Sequence, residues 1–166
     1  SASVLNLPDL AQRVLDESVR ILCAERAFLF MTDRETGRLT FRHGRDAMGV
    51  NLVEPTEYSA SVVDRAFEMG RYVIVSTIDD AHSIGSESVS AYGLRSVVAA
   101  PLMTAERVLG VIYLDNRLAR GVFTQEHVEL LMAMGRHMAN KFETARAAML
   151  EGQLKAERER RRLAET

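Results

Sequence analysis

The spacing of apolar and polar positions changes several times along the chain. From Leu7 to Cys23, residues Leu7, Leu10, Ala11, Val14, Leu15, Ser18, Val19 and Leu22 fall at i, i+3, i+4 intervals, which predicts an amphipathic helix with Pro8 in its first turn. Ala27 to Met31 is apolar at every position, the pattern of a strand buried on both faces. Asp33 to Gly37 reads as a turn, and Leu39 to His43 then alternates as a half-buried strand, so the two strands form a hairpin. Gly44 to Pro55 reads as irregular. A short helix is expected from about Ser59 to Met69, with Val62, Val63, Ala66 and Phe67 on its apolar face, Ser59 as N-cap and Gly70 as the stop. Tyr72 to Val75 is a strand, and Ser76 to Ser86 a polar loop. A short helix or turn lies around Glu87 to Tyr92 and ends at Gly93. Two apolar strands follow, Leu94 to Met103 and Val108 to Leu114, with Thr104 to Glu106 as the loop between them and Asp115-Asn116-Arg117 as a polar turn.

Thr124 then opens a helix without proline that reaches about Leu163, with Gln125 and Glu126 in its first turn. Val128, Gly135, Phe142 and Met149 stand seven residues apart, and Leu131, Met138 and Ala145 form the companion seam, a heptad that weakens after Met149. About 40 residues at roughly 1.5 Å each extend some 60 Å, beyond the reach of one small domain. Two readings fit: a signalling helix that pairs with a second copy, or a first half packed on the sheet with a solvated end. Glu151 to Thr166 holds five Lys/Arg and four Asp/Glu, which suits a solvated face.

Strands paired by hairpins with helices between them imply an α+β fold, a mostly antiparallel central sheet with helices packed on its faces, plus the long C-terminal helix. Its 166 residues suffice for one domain and an appendage, divided here as 1–146 and 147–166. The first residue is Ser1 and the charged end lacks a closing cap, so the chain reads as a piece of a longer protein with an effector domain beyond Thr166. A net charge of −2 offers no bulk attraction for nucleic acid or an anionic membrane. No apolar run approaches the roughly 20 residues that span a bilayer. A single cysteine excludes an internal disulfide framework and fits a reducing cytoplasm.

Candidate chemistry is sparse. There is no phosphate-binding glycine loop, no His-Glu-x-x-His and no Cys-x-x-Cys. His127 and His137 share a helix face but stand about 15 Å apart, too far for one metal, so no metal site and no catalytic residue is assigned. Cys23 reads as a small buried hydrophobe; a redox role would need exposure and a lowered pKa.

Three stretches carry a resemblance: Val62 to Ser76, Leu94 to Met103 with its Pro101, and Arg107 to Glu126, which reads RVLGVIYLDNRLARGVFTQE. In this order and spacing they resemble a GAF domain over roughly Leu7 to Arg146. The resemblance implies a ligand pocket between one sheet face and the loops before the last hairpin. By position it would be lined by Phe41, His43, Tyr72, His82, Ser86, Ser88, Tyr92 and Arg95. Arg95 could pair an anion bidentately or be a surface side chain at a strand start, and Tyr92 could instead pack over Gly93. No cysteine stands in the later half, where phytochrome-type members tether a bilin. Asn116-Arg117-Leu118 and Phe123 match part of the cyclic-nucleotide pattern, but His127 and Val128 stand where its acidic pair belongs.

The resemblance therefore implies a non-catalytic bacterial sensor and relay module, cytoplasmic, of unknown cofactor, paired through its first and last helices and controlling a downstream domain. The YLDNRLARGVFT wording is similar to GAF domains of bacterial transcription activators with AAA+ domains, histidine kinases and nucleotide cyclases. Two alternatives stay open: a dimerisation module without ligand, and a thiol enzyme or redox sensor using Cys23.

Overall fold

A computed structural model describes residues 6–76, 80, 85–120 and 122–166. The first helix, α1 (Leu7–Leu22), starts where Asn6 accepts the backbone N–H of Asp9 at 3.2 Å. It stops at Cys23, which turns left-handed at φ 53°. Strands β1 (Arg26–Thr32) and β2 (Leu39–Asp46) form the first hairpin. Helix α2 (Ala60–Met69) ends at Gly70, whose φ of 62° lets its N–H return to the Ala66 carbonyl. After β3 (Val73–Val75) and the single turn α3 (Ser88–Ala91), β4 (Ser96–Met103) and β5 (Val108–Asn116) form the second hairpin. Helix α4 (Gln125–Ala164) closes the chain, capped by Thr124 through the His127 N–H.

The five strands make one sheet in the order β2-β1-β5-β4-β3, every neighbouring pair antiparallel. The sheet is buried on both faces, which is why β1, β4 and β5 read as continuous apolar runs. Leu29, Val98, Ala100, Leu102, Ile112 and Leu114 face α1 and α4. Phe28, Phe30, Val97, Ala99, Val111 and Tyr113 face α2.

Three local readings of the sequence are corrected. Residues 44–46 continue β2 instead of opening an irregular segment, and Gly44 is small for a packing reason. A Cβ there would stand 2.9 Å from the Phe28 ring and from Leu52. Asp115 and Asn116 are the buried end of β5 and not a turn. Cys23 is exposed, because it lies on the outer side of the α1 cap and not in the core.

Helix α4 divides in two. Val128, Leu131, Gly135 and Met138, four positions of the heptad, are buried in the chain's own core. At Gly135 the helix lies so close to β4 that a Cβ would come within 3.1 Å of the Pro101 carbonyl. Phe142 still packs against this core and Ala145 is partly covered. Beyond it the helix stands clear, with Met149 63% and Leu154 48% exposed. There the helix is laced along its own surface by pairs such as Glu157 with Arg160 and Glu159 with Arg162. No helix among the described residues is long and apolar enough to cross a membrane.

Candidate functional site

The α2 face of the sheet carries the chain's concentrated chemistry. Alternation along β1 and β5 delivers Phe28, Phe30 and Tyr113 to one side, where Tyr58 and Phe41 complete an aromatic cluster. Phe28 stacks on Tyr113 with centroids 5.8 Å apart, and Tyr58 meets both edge-on. Offset and edge-to-face contacts of this kind add about 1 kcal/mol each beyond the area they bury.

At one end of the cluster a polar network penetrates the core. The Arg26 guanidinium grips the Asp115 carboxylate twice, Nε to Oδ1 at 3.0 Å and Nη2 to Oδ2 at 2.6 Å. It also donates to the carbonyls of Thr56 at 2.7 Å and Glu57 at 3.0 Å, in the segment that leads into α2. The Tyr113 hydroxyl donates to Asp115 Oδ2 at 2.7 Å and accepts the Ser59 N–H at 3.1 Å. Burial alone would weaken the charge on Arg26, but its bonds to Asp115 outweigh that and hold its pKa above the usual value. Burial, then the nearby carboxylate of Asp115, pushes the Tyr113 hydroxyl well above the usual phenol range, so it stays a donor. Removing one member of such a pair strands a buried charge at a cost of about 3–5 kcal/mol.

Ser59 leaves its own helix uncapped by its side chain. Its hydroxyl lies 2.9 Å from that of Ser86 and 2.7 Å from that of Ser88, and Ser61 donates to Ser86 at 2.7 Å. Four hydroxyls therefore meet where the start of α2 faces the start of α3. Ser59 and Ser86 are fully buried and Ser61 is exposed, so the cluster runs from the core to the surface. Hydroxyls both donate and accept, so this group can bond to itself or turn toward a polar ligand.

The residues expected to line one pocket fall in separate places. Phe41 joins the aromatic cluster, and Ser86 and Ser88 join the hydroxyl cluster. Tyr72 faces the opposite side, where its hydroxyl bonds to Gln125 at the start of α4. His43 also lies on the α1/α4 side. Its neighbours line an open groove of about 950 Å³ bounded by Leu7, Met31, Phe142 and Met149. Burial and the nearby Arg42 lower the His43 pKa, so it is neutral at pH 7. Tyr92 and Arg95 are exposed, and Arg95 engages the site's frame through its backbone N–H to the Asn116 carbonyl. His82 lies outside the described residues.

Arg26, Tyr113, Asp115 and Ser59 are not among the site residues expected from the sequence, which marks Ser59 only as a helix cap and Asp115 only as a turn residue. The available signal was an acid two residues beyond a tyrosine on a long apolar strand, hence on the same face, together with a lone arginine at the head of another. Among the described residues no group of three or more His, Cys, Asp or Glu converges as a metal site.

The family model described as GAF domain matches residues 6–142. Among solved structures, a domain of a two-component sensor histidine kinase protein from Sinorhizobium meliloti is 19% identical. The match covers 92% of this chain and 99% of that one at a TM-score of 0.63. The GAF domain region of a membrane protein from Geobacter sulfurreducens is also 19% identical, covering 82% and 95% at 0.59. The second GAF domain of DevS from Mycobacterium smegmatis is 16% identical, covering 88% and 99% at 0.61. No curated protein matches the chain.

Proposed function

The chain belongs to the GAF domain family, and from that premise we propose that it is a non-catalytic sensor and relay module of a cytoplasmic bacterial signalling protein. It binds a small molecule or partner at the α2 face and passes the change through α4 to a downstream domain. The observation that carries this reading is the continuity of α4. One unbroken helix starts in the core of the sheet and ends well outside it, so a repacking of Val128 to Met138 against β4 moves everything beyond. A ligand that prefers one seating of the sheet face would shift the population of two such packings. Signalling is also the setting of the sensor histidine kinase domain that the chain resembles in fold.

Two copies pair along the part of the helix that the core leaves uncovered, through Phe142, Ala145, Met149, Leu150 and Leu154, with α1 alongside. Val128, Leu131, Gly135 and Met138 serve the sheet. Residues 147–166 act as the connector. Native mass spectrometry of the freshly purified chain tests both parts. A dimer carrying a reproducible extra mass is the expected result. A monomer at tens of micromolar overturns the pairing.

A second reading is a dimerisation module without ligand, favoured by the serine hydroxyls satisfying one another. A clean dimer with no added mass, and none acquired from a metabolite extract, would favour it. A thiol role for the exposed Cys23 would show as a loss of peroxide response or of methionine sulfoxide reduction in Cys23→Ser.

A further inference from the structure

Two adjacent residues at the end of β5 point to opposite faces of the sheet, as strand geometry requires. Asp115 belongs to the network under the start of α2. Asn116 belongs to the other side. Its Nδ2 donates to the Cys23 carbonyl at 3.0 Å, at the C-terminal cap of α1. Its Oδ1 accepts the N–H groups of Leu118 at 2.7 Å and Ala119 at 3.0 Å, in the segment that leads to α4. The Ala119 carbonyl in turn accepts the Ser96 hydroxyl at 2.8 Å.

We propose that the Asp115–Asn116 pair is a two-sided relay. It couples the seating of the Thr56–Ser59 segment on one face to the end of α1 and the lead-in to α4 on the other. This rests on the sensor reading for its purpose but not for its existence. The chain of contacts is short and directional. Ser59 N–H bonds to Tyr113 Oη, Tyr113 Oη to Asp115, and one peptide unit later Asn116 holds the end of α1 and the Leu118–Ala119 turn that precedes α4. Arg26 ties the same carboxylate to the carbonyls of Thr56 and Glu57. If the α2 segment lifts, Tyr113 and Arg26 lose partners and the β5 end must reorient in the core. Asn116 cannot turn with it and keep three bonds that point two ways. The coupling is reciprocal: loosening the Asn116 side loosens Ser59 by the same free energy.

The distinctive prediction is spatial. Hydrogen exchange resolved to single amides in Tyr113→Phe removes only the hydroxyl that receives the Ser59 N–H. We expect Ser59 to exchange at least about fivefold faster, and Leu118, Ala119 and Ala24 to accelerate with it. Asp33 and Thr104, whose N–H groups bond within the hairpin loops at the far end of the sheet, stay unchanged. Asn116→Asp keeps the acceptor for Leu118 and Ala119 but loses the donor to Cys23. It is expected to speed Ala24 directly and Ser59 from the opposite face. Acceleration confined to Ser59 and its neighbours in the first variant, or to Ala24 in the second, overturns the proposal. So does a uniform acceleration that includes Asp33 and Thr104, which would be loss of global stability. No ligand enters this experiment. A chain that shows the coupling and carries no ligand therefore loses the sensor reading while keeping the relay, and the converse result does the opposite.

Discussion

The two faces of the sheet are both buried, yet by different chemistry. Toward α1 and α4 the contacts are mostly aliphatic, with Leu15, Leu22, Ala100, Ile112 and Leu131 among them, Phe123 buried beside them and Asn116 as the polar tie at one end. Toward α2, aliphatic residues such as Val62, Val97 and Val111 share the space with aromatic rings, hydroxyls and an ion pair: Phe28, Tyr58, Tyr113, Ser59 and Arg26 with Asp115. Aliphatic packing has no direction, so a helix lying on it can slide or tilt slightly while keeping most of its burial. Hydrogen bonds and ion pairs lose their strength once angle and distance change. The α2 face is therefore the side that discriminates between arrangements, and the α4 face is the side that can yield to them.

The largest test of that contrast is Asp115→Ala, which strands the Arg26 guanidinium in the core. It should lower unfolding free energy by about 4 kcal/mol, read from urea melts. Replacing both members at once, Arg26→Met with Asp115→Leu, should recover most of the loss. A double variant as unstable as the single one would mean the network is not what burial makes costly there. On the aliphatic face Leu131→Ala should cost about 3 kcal/mol, through a cavity with no polar group to satisfy. If it left the protein more stable than a typical surface change does, α4 would not be anchored on the sheet as described. Met149→Ala with Leu154→Ala lies past the sheet. It should change the stability of the single chain by no more than about 0.5 kcal/mol while weakening self-association in sedimentation. The smallest effect is that of His43. Its pKa is lowered in the folded state, so the stability it contributes is fully present above the ordinary value of 6.5. That contribution drains as pH falls from there through the folded value. His43→Gln should flatten the stability profile in that window and leave it unchanged above.

Much of this architecture can be read from the chain. Doubly buried strands announce themselves as unbroken apolar runs, and Thr124 and Gly70 mark helix ends because their side chains or backbone freedom satisfy orphaned groups. The pocket could not be read as well, and a single irregularity explains much of that. Phe41 and His43 are two apart on β2 and should share a face. A bulge pairs Leu29 with His43 and Phe30 with Phe41, leaving Arg42 as the extra residue, and so sends the two to opposite sides. Nothing in the residues 39–46 signals that shift. The α4 heptad was ambiguous for another reason. Over three turns, a seam facing a partner helix and a stripe facing a sheet have nearly the same spacing. Asp115 followed a run of apolar residues and preceded Asn and Arg, a composition that turns and buried networks share.

Because α4 is continuous from the core to Ala164, it transmits angle as well as position. Each residue turns an α-helix by about 100°. A domain joined to its far end therefore inherits a fixed azimuth relative to the sheet. Adding or deleting one residue after Leu154 would swing that domain about a quarter turn while leaving the packing of α4 on the sheet untouched. Seven residues would nearly restore it. The working quantity of such a joint is phase, and its length can be exchanged between proteins only by insertions that come close to whole turns, such as 7, 11 or 18 residues, at about 100° per residue.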